Sequence, residues 1–459
     1  MEMFDIVVIG AGPGGYPSAI RAAQLGAKVA IVEREQLGGT CLNWGCIPTK
    51  ALIAGADLFG RIQHASQFGI NIAGATVDYA ALCAHKNKVV TQLRAGIGQL
   101  LTGHGVKQFT GQASFIDRHT LEIAPSKINS VARATELIRI GAQKIILATG
   151  STSVVPGFLP RNDRIVESRA FLDRTSLPSS MTVMGGGYIG CELACMAALL
   201  GVKVTIVELL DDILLLLDAD VRREVRHHME KNLGITIRTG KPLEKEEAEA
   251  AELVLVSVGR QPVTDGLKLE NAGVKTNDRG FVPVDDFGRT NVANIFAVGD
   301  VNGRTQLAHN ASSQGVIAAE TACGQRPRAY ETLVPGVIFT APEVALVGLT
   351  EEEARKQNRA VLTGKFRFAG LGRALAAGET TGFVKWIADA ATEQLLGAAA
   401  VGPHATELIA EATLAIRSEL TVAEVGRAIH AHPTFSESWM EAAHAVHGTC
   451  IHALPRRKK

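Results

Sequence analysis

No stretch of the 459-residue sequence approaches the ~20 consecutive apolar residues of a bilayer-spanning helix, and its longest leucine-rich run, Ile213 to Leu217, stops after five. The opening MEMFDIVVIGAG has no basic segment and no cleavable apolar stretch before a strand pattern begins, which points to a cytoplasmic protein without an export leader. Neither sign of charge dominates: 47 Lys+Arg against 46 Asp+Glu leave a net +1. No global field therefore selects nucleic acid or a membrane surface, and neither is expected as a partner. Cysteine is sparse and odd in number, seven in all, which excludes an exported disulfide framework. What remains is an ordinary globular composition, 46% hydrophobic, with enough chain for about three domains.

Glycine is plentiful, and its placement organises the chain. Phe4–Ile9 runs into GAGPGG, and Met181–Met184 runs into GGGYIG; each glycine turn opens an alanine-rich helix followed by a second strand, KVAIVE or KVTIVE. The repeated unit reads as βαβ. Strand-like runs at Lys144–Gly150 and Leu253–Gly259 close the two regions, and a third, Asn294–Asp300, ends in an acid. After Pro335 the glycine turns stop, and strands and helices alternate to a histidine-rich end. The expected fold is α/β: two Rossmann-like dinucleotide-binding domains plus a C-terminal α+β domain, divided as 1–150, 151–264, 265–334 and 335–459.

In the first turn Gly10 permits the tight bend, Gly12 lets backbone amides approach a pyrophosphate, and Gly15 lets the helix pack against the strand. Glu33 follows 18 residues after Gly15, where a carboxylate reaches ribose hydroxyls. Such turns often serve packing alone; strand, glycines, helix, strand and acid together point to a dinucleotide. Gly185, Gly187 and Gly190 repeat the pattern and end at Glu208, whose charge opposes the extra phosphate of NADP and favours NAD. Two dinucleotide sites suggest flavin meeting nicotinamide.

Cys41 and Cys46 lie in GGTCLNWGCIPTK, just past the first ribose acid. Their spacing, with Gly45 between them and Cys46 at an expected helix start, suits a reactive disulfide and a stabilised thiolate at Cys46. Two unrelated buried cysteines or two metal ligands are the alternatives, but no second Cys or His pair nearby completes a zinc set, and no metal is expected. Cys83, Cys191, Cys195, Cys323 and Cys450 stand singly or on expected helices and read as small hydrophobes. Near the end, HAHPTFSE places Glu437 five residues after His432, a base and its orienting carboxylate. Alone this is weak, because six of the 13 histidines lie beyond position 400 and most such histidines are structural. His444, His447 and His452 are given that reading, and Pro455–Lys459 reads as a solvated tail.

The order GAGPGG, GGTCLNWGCIPTK, ATGS, GGGYIGCE, SVGRQP, FAVGD, LAH and HAHPTFSE resembles the two-dinucleotide flavoprotein disulfide reductases nearly end to end. Within that family LNWGCIPTK, Leu307-Ala308-His309, Glu208 and IHAHPT look more like the branch acting on dihydrolipoyl groups than like the glutathione or mercuric reductases. The resemblance implies FAD in 1–150 and 265–334, NAD in 151–264 and dimerisation through 335–459. FAD would be held by Gly10, Gly12, Gly15, Glu33 and Asp300, with backbone contacts from Ala113 and Ala308; Lys50 would lie near the flavin, paired with Glu192. Thr40, Thr149 and Gly150 count among the cofactor-binding positions, and Gly185, Gly187, Gly190, Glu208 and Gly259 would line the NAD site. His432 and Glu437 would reach the disulfide of a second copy, making a homodimer obligatory. The lipoyl group would come from the lipoyl domain of a 2-oxoacid dehydrogenase complex or from a lipoyl carrier protein. The alternatives are a reductase of another disulfide or electrophile, or a non-catalytic flavin-bound subunit.

Three departures from the family pattern stand out. Pro17 and Ser18 replace small aliphatic residues in the first helix, where proline is tolerated; Asn310 stands where a lysine is usual; and Lys241–Ala250 is a short charged stretch in place of a longer hairpin, so no NAD contact is assigned there.

Overall fold

The computed structural model describes residues 1–125, 137–160, 162–326 and 328–454, so the tail expectation for Pro455–Lys459 lies outside the described residues. Glu2–Ile9 is the centre of a seven-stranded sheet, paired in parallel with Val29–Glu33 and with Ile138–Leu147. Lys107–Thr110 extends it on one side, and Ile295–Ala297 joins Ile138–Leu147 in parallel. Thr120–Ala124 and Gln112–Phe115 add an antiparallel edge. Val7 and Val8 are fully buried on opposite faces, which explains the unbroken apolar run of this strand: a parallel sheet covered on both sides has no solvent face to alternate with.

A second sheet repeats the plan with five parallel strands in the order Thr236–Arg238, Lys203–Val207, Ser180–Met184, Val254–Val256, Ile165–Glu167. The antiparallel ribbon of Ser151–Ser153 and Arg260–Pro262 marks where the chain enters and leaves this unit. The charged stretch after Thr236–Arg238 forms the short helix Lys245–Ala250, closed by a capping box of Glu244 and Glu247. The third sheet is antiparallel throughout, Gly336–Ile338, Val344–Gly348, Leu395–Val401, Phe383–Asp389, Val361–Arg367, and is backed by helices Ala405–Arg417 and Glu437–Val446. The mixed architecture matches the expected fold class. Trp386 and Trp439 are fully buried in that domain's core with ring centroids 4.6 Å apart, and Trp386 Nε1 donates to the Trp439 carbonyl at 3.0 Å.

Pro17 sits in the first turn of helix Gly15–Gln24, where no intrahelical amide bond is lost. Ser18 is fully buried, and its hydroxyl donates to the Gly14 carbonyl. A Cβ at Gly315, on the facing helix Ala308–Ala322, would come within 2.3 Å of the Gly14 carbonyl oxygen and 2.6 Å of the Ser18 hydroxyl oxygen. Small residues are required there because the two helices nearly touch.

The second and third units are joined by a buried charge cluster. Lys385 Nζ donates to Asp218 at 2.7 Å, Asp220 at 2.9 Å and Glu351 at 3.0 Å, and Lys365 also pairs with Asp220. The three carboxylates have the spacing of a metal-binding group, but an ammonium fills it. Among the described residues no helix is long and apolar enough to cross a membrane.

Candidate functional site: two glycine turns and a thiol pair

The first turn is built by steric necessity. Gly10 has φ +97°, and a Cβ there would sit 2.4 Å from the Ala148 carbonyl oxygen; at Gly15 it would sit 1.8 Å from the Gly10 oxygen. The second turn repeats this, with a Cβ on Gly190 falling 2.2 Å from the Gly185 oxygen. By contrast, a Cβ on Gly12 would meet nothing nearer than the Gly39 Cα at 3.7 Å, and one on Gly187 would meet nothing within 4 Å. Each turn thus leaves an open cradle before the unpaired amides of a helix N-terminus, the form that a diphosphate fits.

The two acids occupy equivalent posts. Glu33 accepts the Ala11 amide at 2.7 Å and the Glu35 amide at 2.8 Å; Glu208 accepts the Gly186 amide at 2.5 Å and the Leu210 amide at 2.8 Å. Each is pinned at the mouth of its turn. Burial pushes the Glu33 carboxyl above its usual range despite the two amides.

The other cofactor candidates lie around these turns. Ala113 is buried in the strand Gln112–Phe115, Ala308 opens its helix, and Thr40 is exposed on helix Gly39–Trp44. Thr149 Oγ1 donates to the Val263 carbonyl at 2.7 Å, while Gly150 and Gly259 take φ of +71° and +142° with open space beside them. Asp300 is the second residue of the turn Gly299–Asn302 and accepts the Ser151 hydroxyl, with Arg260 Nε 3.8 Å away. Sequence reading passed over Gln314, whose buried Oε1 holds this turn by accepting from the Gly299 amide at 2.8 Å and Asn302 at 2.9 Å. It also passed over Tyr188, which opens the second glycine-turn helix close to Arg260, Asp300, Cys46 and Glu192. The GGGYIG motif carried that signal. Asn310 is nearly buried in the first turn of its helix, so a neutral carboxamide replaces the usual lysine charge.

The thiols sit on two helices that meet at Gly45: Cys41 within Gly39–Trp44 and Cys46 at the start of Cys46–Gln63, as expected. Asn43 fixes the first segment, donating to the Leu37 and Gly39 carbonyls at 2.9 Å each and accepting Arg94 Nε at 2.9 Å. Both sulfurs are free thiols, half-buried and hydrogen-bonded to each other. That bond is asymmetric. It holds Cys41 protonated, with burial acting in the same direction, and lowers Cys46, where Lys50 helps against burial and the Glu192 charge. Lys50 Nζ lies 2.7 Å from Glu192 Oε2. Cys46 is therefore the favoured thiolate, chiefly because Cys41 donates to it, a contribution the helix-start argument did not include.

At the far end, His432 Nδ1 lies 2.8 Å from Glu437 Oε1, and Glu437 Oε2 accepts the Thr434 amide at 2.7 Å. Despite burial, those bonds hold the Glu437 carboxyl below its usual range. The His432 side chain is 76% exposed, and among the described residues no hydrogen bond joins it to Cys41 or Cys46 of its own chain. The five remaining cysteines divide. Cys83, Cys191 and Cys195 are buried and Cys323 packs partly against the core, but Cys450 Sγ donates to Glu441 Oε2 at 2.9 Å and is pushed up to about 12, by burial first and then by that carboxylate. His452 Nδ1 lies 2.6 Å from the other oxygen of Glu441. Cys450 packs against the core of the C-terminal domain, and both it and His452 are held by the Glu441 carboxylate on helix Glu437–Val446.

Two dinucleotide folds, a thiol pair at a helix start and an antiparallel C-terminal domain make up the architecture of a nicotinamide-linked disulfide oxidoreductase. The pyridine nucleotide-disulphide oxidoreductase family matches residues 4–315 and its dimerisation domain matches residues 334–443; the chain belongs to this family. It is similar to the dihydrolipoyl dehydrogenases of Chlamydia pneumoniae, 42% identical with 99% of each chain covered, and of Halobacterium salinarum, 42% identical with 98% of each covered. Among solved structures it resembles the HOCl-induced flavoprotein disulfide reductase RclA of Escherichia coli (TM-score 0.84, 29% identity) and LpdA of Mycobacterium tuberculosis (TM-score 0.87, 26%), each over 96% of this chain and 99% of the other. The protein is an NAD-linked flavoprotein oxidoreductase that uses FAD, and its dimerisation domain supports a homodimer.

Proposed function

We propose that the protein is a dihydrolipoyl dehydrogenase that reoxidises lipoyl groups carried by a 2-oxoacid dehydrogenase complex or a lipoyl carrier protein, in the cytoplasm. The observation that carries this reading is the thiol pair itself: Cys41 and Cys46 on two helices that meet at Gly45, with Cys46 at a helix start and Lys50, paired to Glu192, one turn further on. Full-length similarity to dihydrolipoyl dehydrogenases supports the substrate class.

In the oxidised protein the two cysteines are joined. His432 of one protomer, oriented by Glu437, takes a proton from the first dihydrolipoyl thiol. The new thiolate attacks Cys41 Sγ, forming a mixed disulfide, and Cys46 leaves as a thiolate. The second lipoyl thiol then attacks the substrate sulfur of that mixed disulfide, closing the lipoyl ring and releasing Cys41, which takes up the proton that this second thiol gives up and directs it at Cys46 in a hydrogen bond. Gly10, Gly12, Gly15, Glu33 and Asp300 would hold FAD, and Gly185, Gly187, Gly190 and Glu208 would hold NAD. When bound, these cofactors supply the two-electron exchange that restores the disulfide.

The test is anaerobic titration of the purified protein with dihydrolipoamide and then NAD, followed by visible absorbance. A long-wavelength band that rises with dithiol and falls with NAD is expected; a flavin that ignores dithiols would overturn the reading. The likeness to RclA motivates one alternative, reduction of another disulfide or electrophile. Comparing NADH oxidation by lipoamide, glutathione disulfide and a quinone separates the two.

A further inference from the structure

The two glycine turns carry the same hydrogen bond, supplied by different residues. In the first, the Gly38 amide donates to the Ala11 carbonyl at 2.8 Å; in the second, the Leu214 amide donates to the Gly186 carbonyl at 2.9 Å. Ala11 and Gly186 are equivalent, since each follows the first glycine of its turn and gives its own amide to the acid at the mouth, Glu33 or Glu208. Both donors have a left-handed backbone, with φ +94° at Gly38 and +52° at Leu214. Glycine takes that conformation without strain, whereas the Cβ of a leucine crowds the carbonyl that follows.

The surroundings hold Leu214 in place. Ile213, Leu214 and Leu217 are buried in the core around the second sheet, while Leu215 and Leu216 face outward, a division that the left-handed step at Leu214 allows. Asp212, just before them, accepts from Arg226 Nη1 at 2.9 Å and from Arg222 Nε at 3.2 Å, both on helix Ala219–Lys231. A Cβ at Gly186 would lie 2.6 Å from Ile213 Cγ2, so this segment packs directly against the turn.

We propose that Leu214 is a positioning residue for NAD, acting through its main-chain conformation and not through its side chain. Held left-handed, its amide fixes the Gly186 peptide, and with it the Glu208 carboxylate and the open cradle at Gly187, before the nucleotide arrives. The inference rests on the second turn being the NAD site. One residue then has two separable roles: the buried side chain supports stability, and the backbone supports nucleotide affinity.

The experiment uses the full-length, FAD-loaded protein and measures NAD affinity by calorimetry, the melting temperature and the flavin content in Leu214→Ile, Leu214→Gly, Asp212→Asn and Glu208→Ala. Isoleucine keeps the volume, but its branched Cβ disfavours a positive φ, so NAD binding should weaken roughly tenfold as the strain passes to the turn. Glycine keeps the conformation and leaves a cavity, so the melting temperature should fall by several degrees while NAD affinity stays within about twofold. Asp212→Asn loosens the segment without touching the core and should weaken NAD binding by about threefold. Flavin content should hold in all the Leu214 variants, because Gly38 serves the first turn. If affinity instead follows the melting temperature, with glycine the worse binder, or if the isoleucine variant binds NAD like the wild type, Leu214 only packs and the inference is overturned. Unchanged binding in Glu208→Ala would overturn the assignment of the turn itself, a result distinct from either Leu214 outcome.

Discussion

Lys50 Nζ stands 2.7 Å from Glu192 Oε2, and the other oxygen of that carboxylate accepts the Phe339 amide at 2.8 Å. One ion pair therefore ties the Cys46 helix to the second glycine-turn helix and to the start of the C-terminal sheet. Its ammonium favours the Cys46 thiolate. In reduced Lys50→Met, the pH at which Cys46 alkylation reaches half its maximal rate should rise by roughly one unit. An unchanged alkylation profile would remove Lys50 from thiolate control.

The His432 side chain is 76% exposed, and among the described residues no hydrogen bond joins it to the thiols of its own chain; in the proposed reaction it serves the thiol pair of a second copy. Cys46→Ser and His432→Gln should each be nearly inactive, the second because a general base contributes about 10²–10⁴-fold. Unfolding and refolding a mixture should restore activity, because a mixed dimer holds one intact thiol pair facing one intact base. No recovery in verified mixed dimers would place the base elsewhere.

Glu208 is the acid at the second glycine turn, the one proposed to hold NAD. Glu208→Ala should weaken NAD binding roughly tenfold, the effect of losing a charge-assisted hydrogen bond of about 1.5 kcal/mol, and should narrow the preference over NADP. Calorimetric titration with both nucleotides decides; an unchanged ratio would mean that selectivity lies elsewhere.

Lys385 is fully buried among three carboxylates, so Lys385→Met should cost about 3–5 kcal/mol at neutral pH by taking from Asp218 and Glu351 the cation they share, while Lys365 still faces Asp220. The sign of the pH response should also reverse. Although burial opposes it, Lys365 and Lys385 hold Asp220 below the usual carboxylate range. In the wild type that stabilisation is present above the unfolded carboxylate value and is lost as pH falls through the lower folded one. In the variant acidification should instead relieve repulsion. Thermal unfolding at pH 7 and near pH 4–5 checks this, and parallel losses in both proteins would argue against it.

Much of this was legible in the chain. Close packing requires glycine at Gly10, Gly15, Gly185 and Gly190, and the strand–turn–helix pattern around them is local, so the two glycine-turn units and the carboxylates at their mouths, Glu33 and Glu208, could be read directly. Cys41 and Cys46 were legible for the same reason: both lie within one short segment whose helix start is a local property. Gln314 and Asn43 were not, since a buried carboxamide looks like any polar helix residue until its partners are known.

By itself the sequence determined the elements, the glycine turns, Glu33 and Glu208, and the thiol pair, because those depend on backbone sterics and neighbours within a few residues. The tertiary structure alone decided that Lys50 is held by Glu192 across 142 positions, that Asp218, Asp220 and Glu351 enclose Lys385, and that His430 is locked to Glu411. Those are questions of charge in a buried setting, where the energy depends on distances between groups far apart along the chain.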